Sequence, residues 1–172
     1  MNEAPHLLIE MHSLILKAFK RTFTELSPDE VDWRPLPEAN NISVIVRHLR
    51  IEAEWHLDSL ERGAPMPRAE VTPEAQHLID SVGMDFNKNL KELEDLYARF
   101  VAQLRKMTPE ALKKQSALAY HGRPGDLPAY MLGFHQAVHL AGHLGQISTI
   151  RNLFRKTRGE PGFFPDNPTY PR

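Results

Sequence analysis

Leu7, Leu8, Met11, Leu14, Ile15, Ala18, Phe19 and Phe23 recur at intervals of three and four residues. That period lays an apolar stripe along one side of a helix over about residues 6–25. The same period governs most of the remaining chain, and no alternating strand pattern competes with it. A second helix carries Ile42, Ile45, Val46, Leu49, Ala53, Leu57 and Leu60; Asn40, Asn41 or Ser43 caps its start and Gly63 stops it. Thr72-Pro73-Glu74 predicts the start of a third, long helix reaching about Met107, with Gly83 as an interruption. Thr108-Pro109-Glu110 opens a short helix to about Ala117, and a last helix runs from about Leu127 to Lys156. A striped helix has to bury its stripe against others, so the expected fold is all-α, a four-helix bundle.

The intervening segments are built to turn. Ser27-Pro28-Asp29-Glu30 reads as a capping box, and Trp33-Arg34-Pro35-Leu36-Pro37 cannot continue a helix. Residues 63–72 form a proline-rich connection and residues 120–128 carry turn chemistry. At 172 residues one domain is expected, with the bundle in residues 1–157 and a Pro/Gly-rich tail in 158–172. Lys and Arg number 21 against 22 Asp and Glu, a net charge of −1, which argues against nucleic acid or an anionic membrane as partner. Arg151, Arg155, Lys156 and Arg158 read as cations favoured at a helix C-terminus. No uncharged apolar run approaches 18 residues, no basic leader precedes the first helix, and there is no cysteine. The expectations are no membrane span, no secretion signal and a cytoplasmic location, with no disulfide and no thiolate ligand or nucleophile.

The nine histidines need a reason. His135, His139 and His143 succeed one another at spacing four, which places them on one face of the last helix. At this abundance one such pair is common by chance, whereas three in register is expected in only about a few chains in a hundred. Two imidazoles at that spacing can hold one metal ion, and His48, among the apolar positions of the second helix, is the candidate third. Three neutral imidazoles from two helices would leave a coordination position open, the mark of a catalytic rather than a structural site. Glu52, one turn after His48, reads either as a residue that orients a ligand or holds a proton, or as a rim carboxylate in a salt bridge. A histidine on a buried stripe, taken singly, is more often a packed core residue than a ligand. His6, His12, His56 and His77 read as scattered surface or partly packed residues, and His121 lies in a turn.

Other chemistries fail on spacing. His139-Leu-Ala-Gly-His143 lacks the glutamate of the zinc-protease helix motif, and no pair of Glu-x-x-His motifs supports a di-iron centre. No phosphate-binding glycine loop or nucleophile elbow is present. Gly133, Gly142 and Gly145 inside the last helix suggest a close approach of another backbone, in the bundle or across a subunit contact, or room made beside the histidines.

The segments Trp33-Arg-Pro-Leu-Pro…Asn41-Ile-Ser43-Val-Ile-Val-Arg-His48-Leu…Glu54-Trp55 and His139-x-x-x-His143-Leu-Gly145-Gln146-Ile resemble the patterns of the DinB/YfiT-like superfamily. The resemblance runs to about residue 157, and Leu144 stands where many members have Arg. It implies a four-helix bundle in up-down-down-up order and one divalent metal ion, zinc or nickel, held by His48, His139 and His143. His135 would then lie in a second shell or in the pocket. It also implies a homodimer, a small-molecule substrate and, in some relatives, a low-molecular-weight thiol as cofactor.

The expected function is therefore a mononuclear metal-dependent enzyme: a thiol-dependent S-transferase acting on a small electrophile, or a hydrolase if water takes the open position. The sequence identifies no catalytic base. The alternative is a non-catalytic, dimeric binding or stress-response module whose histidines only pack.

Overall fold

The computed structural model describes residues 3–63, 85–117 and 126–162. Four long helices dominate it: α1 (Glu3–Thr22), α3 (Ile42–Arg62), α4 (Phe86–Lys106) and α6 (Ala129–Thr157). Two short helices, α2 (Pro28–Asp32) and α5 (Pro109–Lys113), and two short strands, β1 (Gln115–Ala117) and β2 (Asp126–Pro128), complete the described residues. No helix among them is long and apolar enough to cross a membrane.

Caps fix the boundaries. The Asn41 side chain accepts from Val44 N at 2.9 Å, and the Ser27 and Thr108 hydroxyls accept from Glu30 N and Ala111 N. Gly63 closes α3 in the left-handed conformation at φ 62°, where a side chain would be strained. Two expectations change. Asp85, with extended backbone, caps α4 by accepting from Lys88 N at 3.0 Å, so this helix starts at Phe86 rather than near Thr72. The Thr72 signal and Gly83 lie outside the described residues, as do His77, His121 and the tail beyond residue 162. The helix opened at Thr108 stops at Lys113, because the chain there turns into an antiparallel ribbon pairing Gln115 with Pro128 and Ala117 with Asp126.

The helix directions are set by which residues meet. Gly133 lies against Leu8, and Arg151 bonds the carbonyl of Thr22, so α1 and α6 run parallel. Arg50 pairs with Glu92 and Glu61 with Arg99, so α3 and α4 run parallel. His48 meets His139 while His56 meets Gln136, so α3 and α6 are antiparallel. The order is up, down, down, up, as the resemblance implied. The core has two parts: one around Phe19, Ile45, Leu49, Tyr97 and Ile147, the other around Leu8, Leu57, Phe100, Leu104 and Leu132.

His12 ties three helices together, and it is fully buried rather than a surface or partly packed residue. Its Nε2–H donates to the Gly133 carbonyl at 3.0 Å, which leaves Nδ1 to accept from the Tyr97 hydroxyl at 2.6 Å. Burial lowers its pKa from 6.5 to about 4. Between those two values the unfolded chain binds the proton that the folded chain refuses, so stability falls as pH falls through this window. The expected loss from His12 is about 3 kcal/mol at pH 4 relative to pH 7, read by denaturant melts in chelator. A His12→Gln variant is expected to lose part of that pH dependence.

A buried ion pair closes the other end of the bundle. Arg151 is 0 % and Glu30 3 % exposed, so Arg151, read in the sequence as a cation at the helix C-terminus, is instead held inside by an ion pair. The arginine bonds Glu30 Oε1 and Oε2 at 2.6 and 3.5 Å, and the carbonyls of Thr22, Thr24 and Glu25 at 2.6, 3.0 and 3.3 Å. Five contacts thus meet the five N–H donors of the guanidinium. Three of the acceptors lie at and just beyond the end of α1, where a helix leaves carbonyls without partners. Glu30 therefore completes no capping box; its carboxylate turns inward instead.

The three glycines of α6 divide. A Cβ on Gly133 would lie 2.8 Å from Leu8 Cδ2, so what this glycine makes room for is the Leu8 side chain of α1 rather than another backbone. Gly142 and Gly145 face open space and make no room for a histidine. Gly142→Ala and Gly145→Ala are each expected to raise stability by about 1 kcal/mol through helix propensity alone. Denaturant melts check this, and destabilisation would mean that another chain packs against that face.

Candidate metal centre

Spacing of four on two facing helices builds this site. His48, Glu52 and His56 lie at successive turns of α3, and His135, His139 and His143 at successive turns of α6. Because the two helices are antiparallel, the stripes meet head to tail. His48 faces His139 and His143, with ring centroids 5.1 and 4.9 Å away, and His56 faces His135 at 5.2 Å. Buried apolar neighbours (Ile45, Leu49 and Ala53 on α3; Leu140, Leu144 and Ile147 on α6) hold the backbones behind them.

At one end three ring nitrogens converge. His139 Nε2 is 3.2 Å from His48 Nε2 and 3.1 Å from His143 Nε2. A cation held tetrahedrally at about 2.0–2.1 Å from each nitrogen would set neighbouring nitrogens roughly 3.3 Å apart. His143 Nδ1–H donates to Gln146 Oε1 at 2.8 Å, which fixes the tautomer and leaves Nε2 as the lone-pair nitrogen facing the others. His139 Nδ1 is buried without a hydrogen-bond partner, so this ring is placed by packing and by what its Nε2 meets. Glu52 stands beside the group, with Oε1 3.6 Å from His48 Nε2 and Oε2 3.4 Å from His139 Nε2. The side chains of His48 and Glu52 are 33 % and 24 % exposed, so the group opens to solvent.

The electrostatics keep His48 and His139 neutral. Burial, then the neighbouring His143, lowers the pKa of His48. Burial, then the surrounding imidazoles, lowers that of His139 to about 3. Neutral imidazole is the form that binds a metal, so the residues fit a divalent cation of the borderline class that takes nitrogen donors.

All five residues singled out in the sequence meet here. His48, His139 and His143 form one group able to hold an ion, and Glu52 and His135 belong to a second. The sequence reading missed His56, the third member of that second group, which is buried rather than a scattered surface or partly packed residue. The signal was available: His56 continues the four-residue spacing from His48 through Glu52. His135 stacks on His139 at 5.6 Å with the ring planes 16° apart.

No curated protein matches the chain. Among solved structures it is similar to YfiT from Bacillus subtilis, described as a probable metal-dependent hydrolase with an unusual four-helix bundle topology. The TM-score is 0.70 at 18 % identity, over 93 % of this chain and 90 % of that one. At that identity the likeness is one of fold. The DinB superfamily model matches residues 14–147, a span that includes all six residues of the two stripes. With the bundle in its up-down-down-up order and that match over most of its length, the chain belongs to the DinB superfamily.

Proposed function

We propose that this chain is a metal-dependent enzyme acting on a small electrophilic molecule, with the ion held by His48, His139 and His143. The observation that carries the reading is the convergence of three Nε2 atoms from two helices, neighbouring pairs 3.1 and 3.2 Å apart, beside one carboxylate and open to solvent. When bound there, a divalent cation supplies the Lewis acidity that activates a small nucleophile at neutral pH. The chain's own residues do the rest. Gln146 orients His143, the buried walls of α3 and α6 fix the other two rings, and Glu52 is placed to take the proton that the nucleophile loses.

The nucleophile is a low-molecular-weight thiol in S-transfer, the reading favoured by the family resemblance. It is water in hydrolysis, the activity given for YfiT. The same reading takes the chain as a homodimer. Tyr130, Phe134 and Val138 are exposed along one face of α6, and Leu7 and Leu14 are exposed on α1, apolar side chains that such pairing would cover.

The test is consumption of 1-chloro-2,4-dinitrobenzene and of an activated ester by zinc- or nickel-loaded protein, with and without an added thiol. Thiol-dependent turnover of the aryl halide, abolished by chelation and by His139→Ala, is the expected result. Turnover of the ester without thiol would assign hydrolysis instead. A metal-loaded protein inert towards both classes would favour the binding module.

A further inference from the structure

We propose that the chain holds a second divalent cation beside the first, at Glu52, His56 and His135. This goes beyond the enzyme proposed above and has its own readout. The ligand atoms of these three residues all lie within 4.8 Å of one another, and they come from two helices whose packing fixes their register. His56 is 6 % exposed. Its Nδ1–H donates to Gln136 Oε1, so its Nε2 carries the lone pair. The His56 and His135 rings stand edge to face at 90°, and His135 is steadied on its other side by stacking on His139.

Glu52 joins the two groups. Its two oxygens are 3.6 and 3.4 Å from the Nε2 atoms of His48 and His139, while the same side chain belongs to the group with His56 and His135. Two dications on adjacent helical turns repel, and a carboxylate between them offsets that repulsion. Two imidazoles and one carboxylate suit zinc, nickel or cobalt(II); calcium and magnesium prefer sites built from oxygen donors alone.

Equilibrium dialysis of chelated, untagged protein against zinc(II), with elemental analysis of the dialysed protein, tests the proposal. The wild type is expected to take up two equivalents, the second more weakly. His135→Ala and His56→Gln are each expected to retain only the tight equivalent. His135 is half-buried, so its variant keeps the test valid if His56→Gln fails to fold, with circular dichroism as the check. Saturation of the wild type at one equivalent, or two equivalents retained by a folded His135→Ala variant, would overturn the proposal. The tight equivalent reports separately: if His139→Ala removes it while His135→Ala changes nothing, the second site falls and the first stands. If the wild type binds no zinc, both fall.

Discussion

Arg151→Met is expected to lower the unfolding free energy by about 3–5 kcal/mol, the cost of leaving a buried charge without its counter-ion. Glu30, 3 % exposed, would remain with Arg155 Nε at 4.0 Å as its remaining cation. The carbonyls of Thr22, Thr24 and Glu25 would lose their donor at the same time. The methionine fills most of the space, so the effect reads charge and hydrogen bonding rather than a cavity. For a chain of this size the melting temperature should fall by on the order of 10 °C. Arg151→Met combined with Glu30→Leu is expected to recover a large part of the loss, because removing both partners leaves no orphaned charge. A denaturant melt of the single variant within about 0.5 kcal/mol of wild type would mean that the pair holds nothing together.

Chelation is expected to have an effect of comparable size. An ion that binds only the folded chain stabilises it by about 4 kcal/mol when present at roughly a thousand times its dissociation constant. Removing it should lower the melting temperature by about 8–16 °C. His139→Ala should show most of that shift already in metal-loaded buffer and respond less to chelator than the wild type, since the ring at the centre of the three is gone. Differential scanning calorimetry of both proteins with and without chelator checks this. Equal responses of wild type and variant would place any bound ion elsewhere.

The bundle was legible because its information is periodic. Apolar residues three and four apart mark helix faces, and Asn41 and Gly63 end α3 with side-chain and backbone chemistry visible in the letters. What periodicity cannot resolve is where an uninterrupted helical pattern stops. Asp85 begins α4 inside such a pattern, and Gln115–Ala117 is too short to display strand alternation before its partner folds against it. The buried polar residues were hidden for another reason. Arg151 lies on the stripe of Leu140, Leu144, Ile147 and Phe154, and His12 between Leu8 and Phe19, yet residue type alone reads them as surface. Position on the stripe, not polarity, placed them inside, and each is buried because its hydrogen bonds are met there.

The candidate site was legible on α6, where three histidines at equal spacing are conspicuous, and at His48 through its pattern. That α3 faces α6 in antiparallel register is a tertiary fact. It pairs His56 with His135 and sets Glu52 beside two imidazoles, relations that spacing within one helix does not contain.

The function proposed for this chain requires three imidazoles from two helices to share one ion. Diffraction from crystals of zinc- or nickel-loaded protein, recorded at the absorption edge of the metal, decides whether they do. The expected result is a strong anomalous peak about 2 Å from the Nε2 atoms of His48, His139 and His143. Loaded crystals with no peak among those three nitrogens would contradict the shared ion.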